Sequence, residues 1–350
     1  MSTIHDVAKA AGVSVSTVSR ALRGLDRVSP QTRDRVAKAA LDLRYVASPT
    51  ASSLASGRTR VVAVVVPFLT RWFFATLISG IEKALRRQGH HVLLVDLEGE
   101  SYDSRLRLSQ DMLWKRVDGV IVLNTPLDEQ EQALIDSLGL PVITIGNRIR
   151  DWPCVRIDDR AAMGVAVRHV LDLGHTRIAY VGAVEQGTSM LQTPRERAET
   201  FLTTLAERGL RCPPTWVVGS DWTAAGAARD VAALLRARSR PTAVVAASDE
   251  MAFGVMAAAR RAGLSVPGDL SVVGIDDHVL AEVLDLTTVR QDVPHQGQRA
   301  AELLLGRLLD GSVTPPPGDE VVPVQLVVRG STAAPVRAAR RGGTSRAASA

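Results

Sequence analysis

Residues 14–20, Ser-Val-Ser-Thr-Val-Ser-Arg, put four short hydroxyls and one guanidinium within two helical turns. That set can hydrogen-bond base edges and phosphate oxygens, but it contains no nucleophile–base pair. The carboxylates add little catalytic promise. Asp158–Asp159 and Asp276–Asp277 are adjacent pairs, and neighbours on an extended chain point to opposite faces, so they serve paired acid–base work poorly. The seven His are scattered, and no Gly-x-Ser-x-Gly elbow, phosphate-cradling Gly loop or metal-ligand cluster occurs. Cys154 and Cys212 have neither metal nor redox spacing and read as idle thiols of a reducing compartment. The expectation is a binding protein rather than an enzyme, with no cofactor and no metal.

The elements around the hydroxyl run explain its presentation. Ile4, Val7, Ala8 and Ala11 recur on one helix face, leaving Asp6 and Lys9 to water. Gly12 permits a tight turn. Ser14 can cap a second helix in which Val18 and Leu22 point inward and Ser16, Thr17 and Arg20 point outward. Ser29 as N-cap and Pro30 at the first turn open a third helix to Leu43, with Val36, Ala40 and Leu43 covering the pair. Two short helices about a turn, braced by a third, form the layout of a helix-turn-helix DNA reader. Charge agrees: residues 1–60 hold ten Lys or Arg against four Asp, whereas residues 61–330 hold 28 against 33. Positive charge is concentrated where phosphates would be neutralised.

Ala47–Gly57, ASPTASSLASG, has few large apolar residues and reads as a linker. Beyond it, β-branched runs alternate with helical patterns: strands at 61–66, 91–95, 119–123 and 141–145, with a helix near Phe74–Gln88 after the first. A second series follows at 177–181, 216–218, 243–246 and 271–275, its helices ending at Gly174, Gly209 and Gly263. Two doubly wound parallel sheets predict two lobes, with ligand in the crevice outside the carboxyl ends of the strands. The densest apolar run, Val61–Val66, is far too short to cross a bilayer. The first residues lack a secretory-signal pattern, so the expected location is the cytoplasm, on the nucleoid.

The run TIHDVAKAAGVSVSTVSRAL followed by RVSPQTRDRV resembles the lactose-repressor (LacI/GalR) family of bacterial transcription regulators. The likeness continues through LDLGHTRIAYVG, SDEMAFG, GLSVPGDLSVVGIDD, LTTVRQD and LVVRGST. It implies an α/β chain with a three-helix helix-turn-helix domain (1–46), a hinge helix or linker (47–57) and a two-lobed core like periplasmic sugar-binding proteins (58–332). Lobe 1 would take about 60–158 and 292–318, and lobe 2 about 159–291 and 319–332. The chain would cross near Asp158, Asp292 and Gly318, and residues 333–350 would be a disordered Arg-bearing tail.

By the same resemblance Val15, Ser16 and Arg20 read bases in the major groove, while Thr17, Ser19 and the backbone near Val28 and Ser29 hold phosphates. Arg20 can pair bidentately with guanine or grip the backbone instead. Leu54, within Pro49–Ala55, would wedge into a minor-groove step of the operator. Ser52 and Ala55 stand where relatives often have a basic residue, and Arg58 and Arg60 are positioned to compensate. The partners implied are a pseudo-palindromic operator, a second copy of the chain and a small-molecule effector, first of all a sugar. Alternatives are a purine, a nucleoside, a phosphoprotein co-regulator or, in another class, a solute-binding protein.

The effector residues implied are Arg197, Trp222 and Asp276, with Ser248 and Asp249 at another strand end. Asp249 can equally cap the helix that follows. From lobe 1 come Phe73 and Phe74, which bind effector or simply pack the lobe, within PFLTRWFF. Phe68, Thr70, Arg71 and Trp72 replace a small polar set common in relatives, so no relative's specificity transfers. The sign of regulation, induction or co-repression, stays open. The dimer interface would involve the amphipathic segment Gln298–Leu309, unless that segment packs internally.

Overall fold

A computed structural model of the chain describes residues 2–22, 28–45, 57–97, 105–182, 192–310 and 318–336. The chain has an amino-terminal unit and a larger one. The first contains α1 (Ile4–Ala11), α2 (Val15–Leu22) and α3 (Pro30–Asp42). Thr3 and Asp6 form a reciprocal capping box at the start of α1, and Gly12 ends it in the left-handed region at φ 62°. The Ser14 hydroxyl accepts the Thr17 N–H at 3.1 Å. Ser29 caps α3 through the Thr32 N–H at 3.3 Å, with Pro30 next. Val7, Ala8, Ala11, Val18, Ala21, Val36, Ala39 and Ala40 make its core. Leu22 departs from expectation: it is 38% exposed, and Ala21, three residues after Val18, takes the inward position.

In chain order the larger unit comprises β1 (Val61–Val66), α4 (Trp72–Arg87), β2 (His91–Asp96), α5 (Gln110–Leu113), β3 (Gly119–Leu123), α6 (Glu129–Ser137), β4 (Val142–Ile145) and β5 (Cys154–Arg156). There follow α7 (Asp159–Asp172), β6 (Ile178–Gly182), α8 (Gln192–Glu207), β7 (Val217–Gly219), α9 (Ala224–Asp230), α10 (Ala232–Arg236), β8 (Ala243–Ala246), α11 (Asp249–Arg261) and β9 (Ser271–Asp276). The last are α12 (Val279–Val283), β10 (Thr287–Arg290), α13 (Val293–Asp310), β11 (Glu320–Val321) and β12 (Gln325–Val327). One sheet runs β11-β5-β4-β3-β1-β2 and the other β12-β10-β9-β8-β6-β7. The β1–β3–β4–β5–β11 pairings are parallel, as are those of β7–β6–β8–β9–β10, and β12 runs antiparallel against β10. Central strands such as β3 and β9 are buried at every residue, because helices cover both faces of each sheet.

The chain passes between sheets after β5, after β10 and after β11. The third passage comes later than the expected Gly318, since Glu320–Val321 still pair with Val155–Arg156. Charge pins that edge: Asp319 meets both Arg148 and Arg156, and Glu320 meets Arg299 at 2.6 Å. The expected tail also starts too early. The Ala333 N–H donates to Ser271 Oγ at 3.0 Å, and its carbonyl lies 2.8 Å from His175 Nε2. Residues 337–350, like Leu54 and its neighbours, lie outside the described residues. Among the described residues no helix is long and apolar enough to cross a membrane.

Helices α4 and α13 pack backbone to backbone over the first sheet. A Cβ on Gly80 would sit 2.2 Å from the Pro294 carbonyl oxygen, and one on Gly297 would sit 2.2 Å from that of Leu77. Backbone cannot yield as a side-chain tip can, so Gly297→Ala should destabilise the core by about 1–3 kcal/mol. The check is a lower urea midpoint at unchanged slope; an unchanged midpoint would show that the helices separate freely.

Candidate functional site

The amino-terminal unit presents its hydroxyl run on α2. Ser16 and Arg20 are exposed, and Val15, Thr17 and Ser19 are half-buried. Ser14 Oγ stands 2.8 Å from both Ser16 Oγ and Thr17 Oγ1, so one capping side chain also orients the two hydroxyls that follow. Ser29 is exposed, but its hydroxyl is engaged by Thr32 at the start of α3. The N-terminus of that helix therefore supplies backbone N–H groups and a positive dipole end rather than a spare hydroxyl.

In the larger unit a cleft opens between the sheets. It is built where strands end: Asn124 follows β3, Gly146 follows β4, Ser248 follows β8, Asp276 closes β9 and Gln291 follows β10. Phe73, Phe74, Arg197, Trp222, Ser248 and Asp276 all line it, so the six effector residues expected from the sequence converge. Arg71, Trp72, Asp159, Thr193, Glu250, Gln291 and Gln296 line it too. Of these, only Arg71 and Trp72 had been singled out as part of a ligand wall. Asp159 carried one signal, its place in the adjacent acidic pair Asp158–Asp159, and Gln291 stood within the block LTTVRQD without a role of its own.

The polar floor belongs to the second lobe. Arg197, buried on α8, donates from Nε to Asp159 Oδ1 at 2.7 Å, and its Nη2 lies 2.7 Å from the same oxygen. A further guanidinium N–H goes to the Ala247 carbonyl at the end of β8. Thr193 donates to the other Asp159 oxygen at 2.9 Å. Asp276 accepts from Gln291 Nε2 at 2.5 Å. Burial, then the neighbouring Asp249 carboxyl, push the Asp276 carboxyl well above the ordinary carboxylate range, against the pull of Arg197 and Gln291. Burial also raises Asp249, although the Thr288 hydroxyl at 2.6 Å and the His278 N–H at 2.8 Å hydrogen-bond to it.

Asp249 is not the helix cap. Ser248 takes that role, accepting the Met251 N–H at 3.3 Å, and Asp249 turns inward beneath Asp276. Asp277 points away from the cleft to Arg290 and Arg329, at 2.6 and 2.7 Å. The two adjacent acidic pairs are thus split between opposite faces, and among the described residues no group of three His, Cys, Asp or Glu is placed to hold a metal.

The first lobe supplies the opposite wall. Phe74 is buried and meets Phe73 edge-on at 5.3 Å, so it packs the lobe while Phe73 faces the cleft. The Arg71 guanidinium sits 4.0 Å from the Phe68 ring centre. Segment 298–309 does not form an open seam, because Ala300, Ala301, Leu304 and Leu305 of α13 are buried in the chain's own core. The unpartnered apolar face lies instead on α12 and its end, where Val279, Leu280, Val283 and Leu284 are 67%, 45%, 75% and 42% exposed.

Residues 3–48 match the family described as bacterial regulatory proteins, lacI family, and residues 167–332 match a periplasmic binding protein-like domain. The chain is 32% identical over 337 residues to the HTH-type transcriptional repressor CytR of Escherichia coli (strain K12), covering 95% of this chain and 96% of that one. The structure is similar to a lac repressor dimer bound to operator and the anti-inducer ONPF, with a TM-score of 0.81, 27% identity and coverage of 95% and 99%. It is also similar to a transcriptional regulator CelR–cellobiose complex, with a TM-score of 0.68, 29% identity and coverage of 95% and 100%.

The raised carboxyls make a pH prediction. The folded chain holds protons on Asp276 and Asp249 that the unfolded chain releases near pH 3.8. Their stabilisation is therefore complete below that value and lost as pH climbs toward the folded values, by at most about 1.4 kcal/mol per pH unit for each retained proton. His169, His175 and His278, lowered by burial, act in the opposite sense below their ordinary 6.5. Between pH 7 and 8.5 the melting temperature of the ligand-free protein should fall, and Asp276→Asn should flatten the decline. A wild-type curve that rises over this range would contradict the assignment.

Proposed function

Because this chain belongs to the lacI family of bacterial regulatory proteins, we propose that it is a sequence-specific repressor of carbohydrate-utilisation genes. It binds an inverted-repeat operator as a homodimer in the cytoplasm, on the nucleoid, and a neutral sugar in the cleft releases it. The observation that carries the reading is the convergence of Arg197, Asp159, Asp276 and Trp222 at the strand ends of one lobe, opposite the aromatic wall of the other. Hydroxyls suit such a floor, since a guanidinium donates to them and a carboxyl accepts from them, while an indole face covers the ring's C–H bonds.

Charge argues for a neutral ligand. Among the described lining residues the cations are Arg71 and Arg197, against the acids Asp159, Glu250 and Asp276. Arg197 is already committed to Asp159 and Ala247, and Arg71 is stacked on Phe68 beside Glu250. A phosphate would find the Arg197 charge already balanced by Asp159 and would meet carboxyls. A purine or nucleoside could use the same aromatic surfaces, which makes it the comparison to run.

On DNA, Arg20, Ser16 and Val15 read bases, Thr17, Ser19 and the α3 N-terminus at Ser29 hold phosphates, and Leu54 wedges the minor groove. The exposed α12 face offers a second copy an apolar surface. Cleft occupancy and operator grip are linked sites: effector binding rotates one lobe on the other and changes how the paired hinge segments meet the operator.

Thermal-shift measurements on the ligand-free protein should show mono- or disaccharides raising the melting temperature and sugar phosphates leaving it unchanged. Stabilisation by nucleosides or phosphates alone would replace the sugar reading. In gel shifts, Arg20→Ala should weaken operator binding by about 1–3 kcal/mol while leaving nonspecific DNA binding nearly intact. Equal loss on both DNAs would make Arg20 a phosphate contact.

A further inference from the structure

Trp72 belongs to the cleft wall, but its strongest neighbours lie in the other lobe. Its indole centre is 4.4 Å from the imidazole of His278, with planes 41° apart. Its backbone N–H lies close enough to Glu250, at the start of α11, to oppose the upward push of burial on that carboxyl. One residue of the first lobe thereby meets the second through its ring, with its main chain beside Glu250.

His278 is fixed from its own side as firmly. It is 8% exposed and stands two residues after the cleft acid Asp276. Phe253 of α11 meets its ring edge-on at 5.3 Å and 84°. Its N–H donates to Asp249, which lies beneath the cleft acid Asp276. Its Nδ1 accepts the Leu280 N–H at 2.9 Å, so the ring that faces Trp72 is also the N-cap of α12. An acceptor at Nδ1 places the ring proton on Nε2. Helix α12 is short, has only Ala281 buried, and shows its other apolar residues to the outside. A helix with so little packing depends heavily on its cap.

We propose that His278 is a positioning residue that couples the two lobes to α12: the Trp72 contact orients the imidazole, and the imidazole in turn sets the first turn of the surface helix. A ligand that changes how the lobes close would move Trp72 and so alter the cap without touching α12. The inference takes its purpose from the regulatory reading. The coupling itself requires neither DNA nor effector, so its failure would leave that reading standing.

Hydrogen exchange on the ligand-free full chain separates the pieces. Trp72→Ala, which removes the ring but keeps the main chain beside Glu250, should speed exchange of the Leu280, Ala281 and Leu284 amides about fivefold, the factor expected for loss of a helix cap. Trp72→Phe, which keeps a ring, should restore rates close to wild type. His278→Phe retains the ring contact but loses the acceptor, and should loosen α12 while leaving the Ala75–Leu77 amides of α4 unchanged. His278→Asn can still accept from Leu280 without a ring, and should loosen α4 and spare α12. Wild-type exchange at α12 in Trp72→Ala would overturn the proposal. So would an acceleration spread evenly over the whole second lobe, which would mean general destabilisation rather than transmission.

Discussion

A buried ion pair holds the cleft together. Arg197 and Asp159 are 4% and 6% exposed, and removing two charges from water costs several kcal/mol per ion after relaxation. The pair persists because almost every lone pair and proton is used. Thr193 donates to Asp159, and the Ala247 carbonyl accepts from Arg197. These bonds tie α7, α8 and the end of β8 into one frame. Arg197 also supplies the nearest opposing charge to the buried Asp276. Replacing a buried pair with apolar residues of equal volume is often neutral or stabilising, but here it would remove the charged part of the polar floor. The cost in stability points to retention for binding.

The aromatic wall and the polar floor come from different lobes, and that division constrains what can fill the space. Trp72 and Phe73 begin α4, where the chain leaves β1; Arg197, Trp222, Ser248 and Asp276 come from four separate connections of the second sheet. A ligand satisfying only one wall gains nothing from the approach of the other. Only a molecule with hydroxyls on one side and an apolar face on the other binds better when the lobes are closed than when they are open. A ligand shifts a conformational equilibrium by its differential affinity for the two states and by nothing else.

Much of the fold was legible because parallel strands covered on both faces must read as short apolar runs. VVAVVV at 61–66 and GVIVL at 119–123 coincide with β1 and β3 residue for residue. The elements that escaped notice, β5, β10, β11 and β12, are two to four residues long and include Arg156, Glu320 and Gln325. They are strands because a neighbour's edge is available, not through their own propensity. In the cleft, Arg197, Trp222 and Asp276 could be placed through the family resemblance. Asp159 was read only as half of an adjacent acidic pair, since nothing in a linear sequence reveals that an Arg 38 positions on will bury against it. The exposed α12 face was missed for a related reason. Its apolar residues resemble core, and only the tertiary structure shows that no part of the described chain covers them.

Exposure, more than residue type, separates the two chemistries of this chain. Arg20 on α2 and Arg197 on α8 carry the same group. The first is exposed, so it can pair with whichever base or phosphate is presented, and salt will weaken that bond through counterion release. The second is enclosed, bonded on both sides and shielded from salt, so it can only reward a ligand that completes its remaining donors. A chain that reads a long polyanion and, as proposed above, a small neutral molecule needs both settings. The helical unit, with a core of small residues such as Ala8, Ala21 and Ala40, is too thin to bury a charge, whereas the doubly covered sheets provide the enclosure that Arg197 requires.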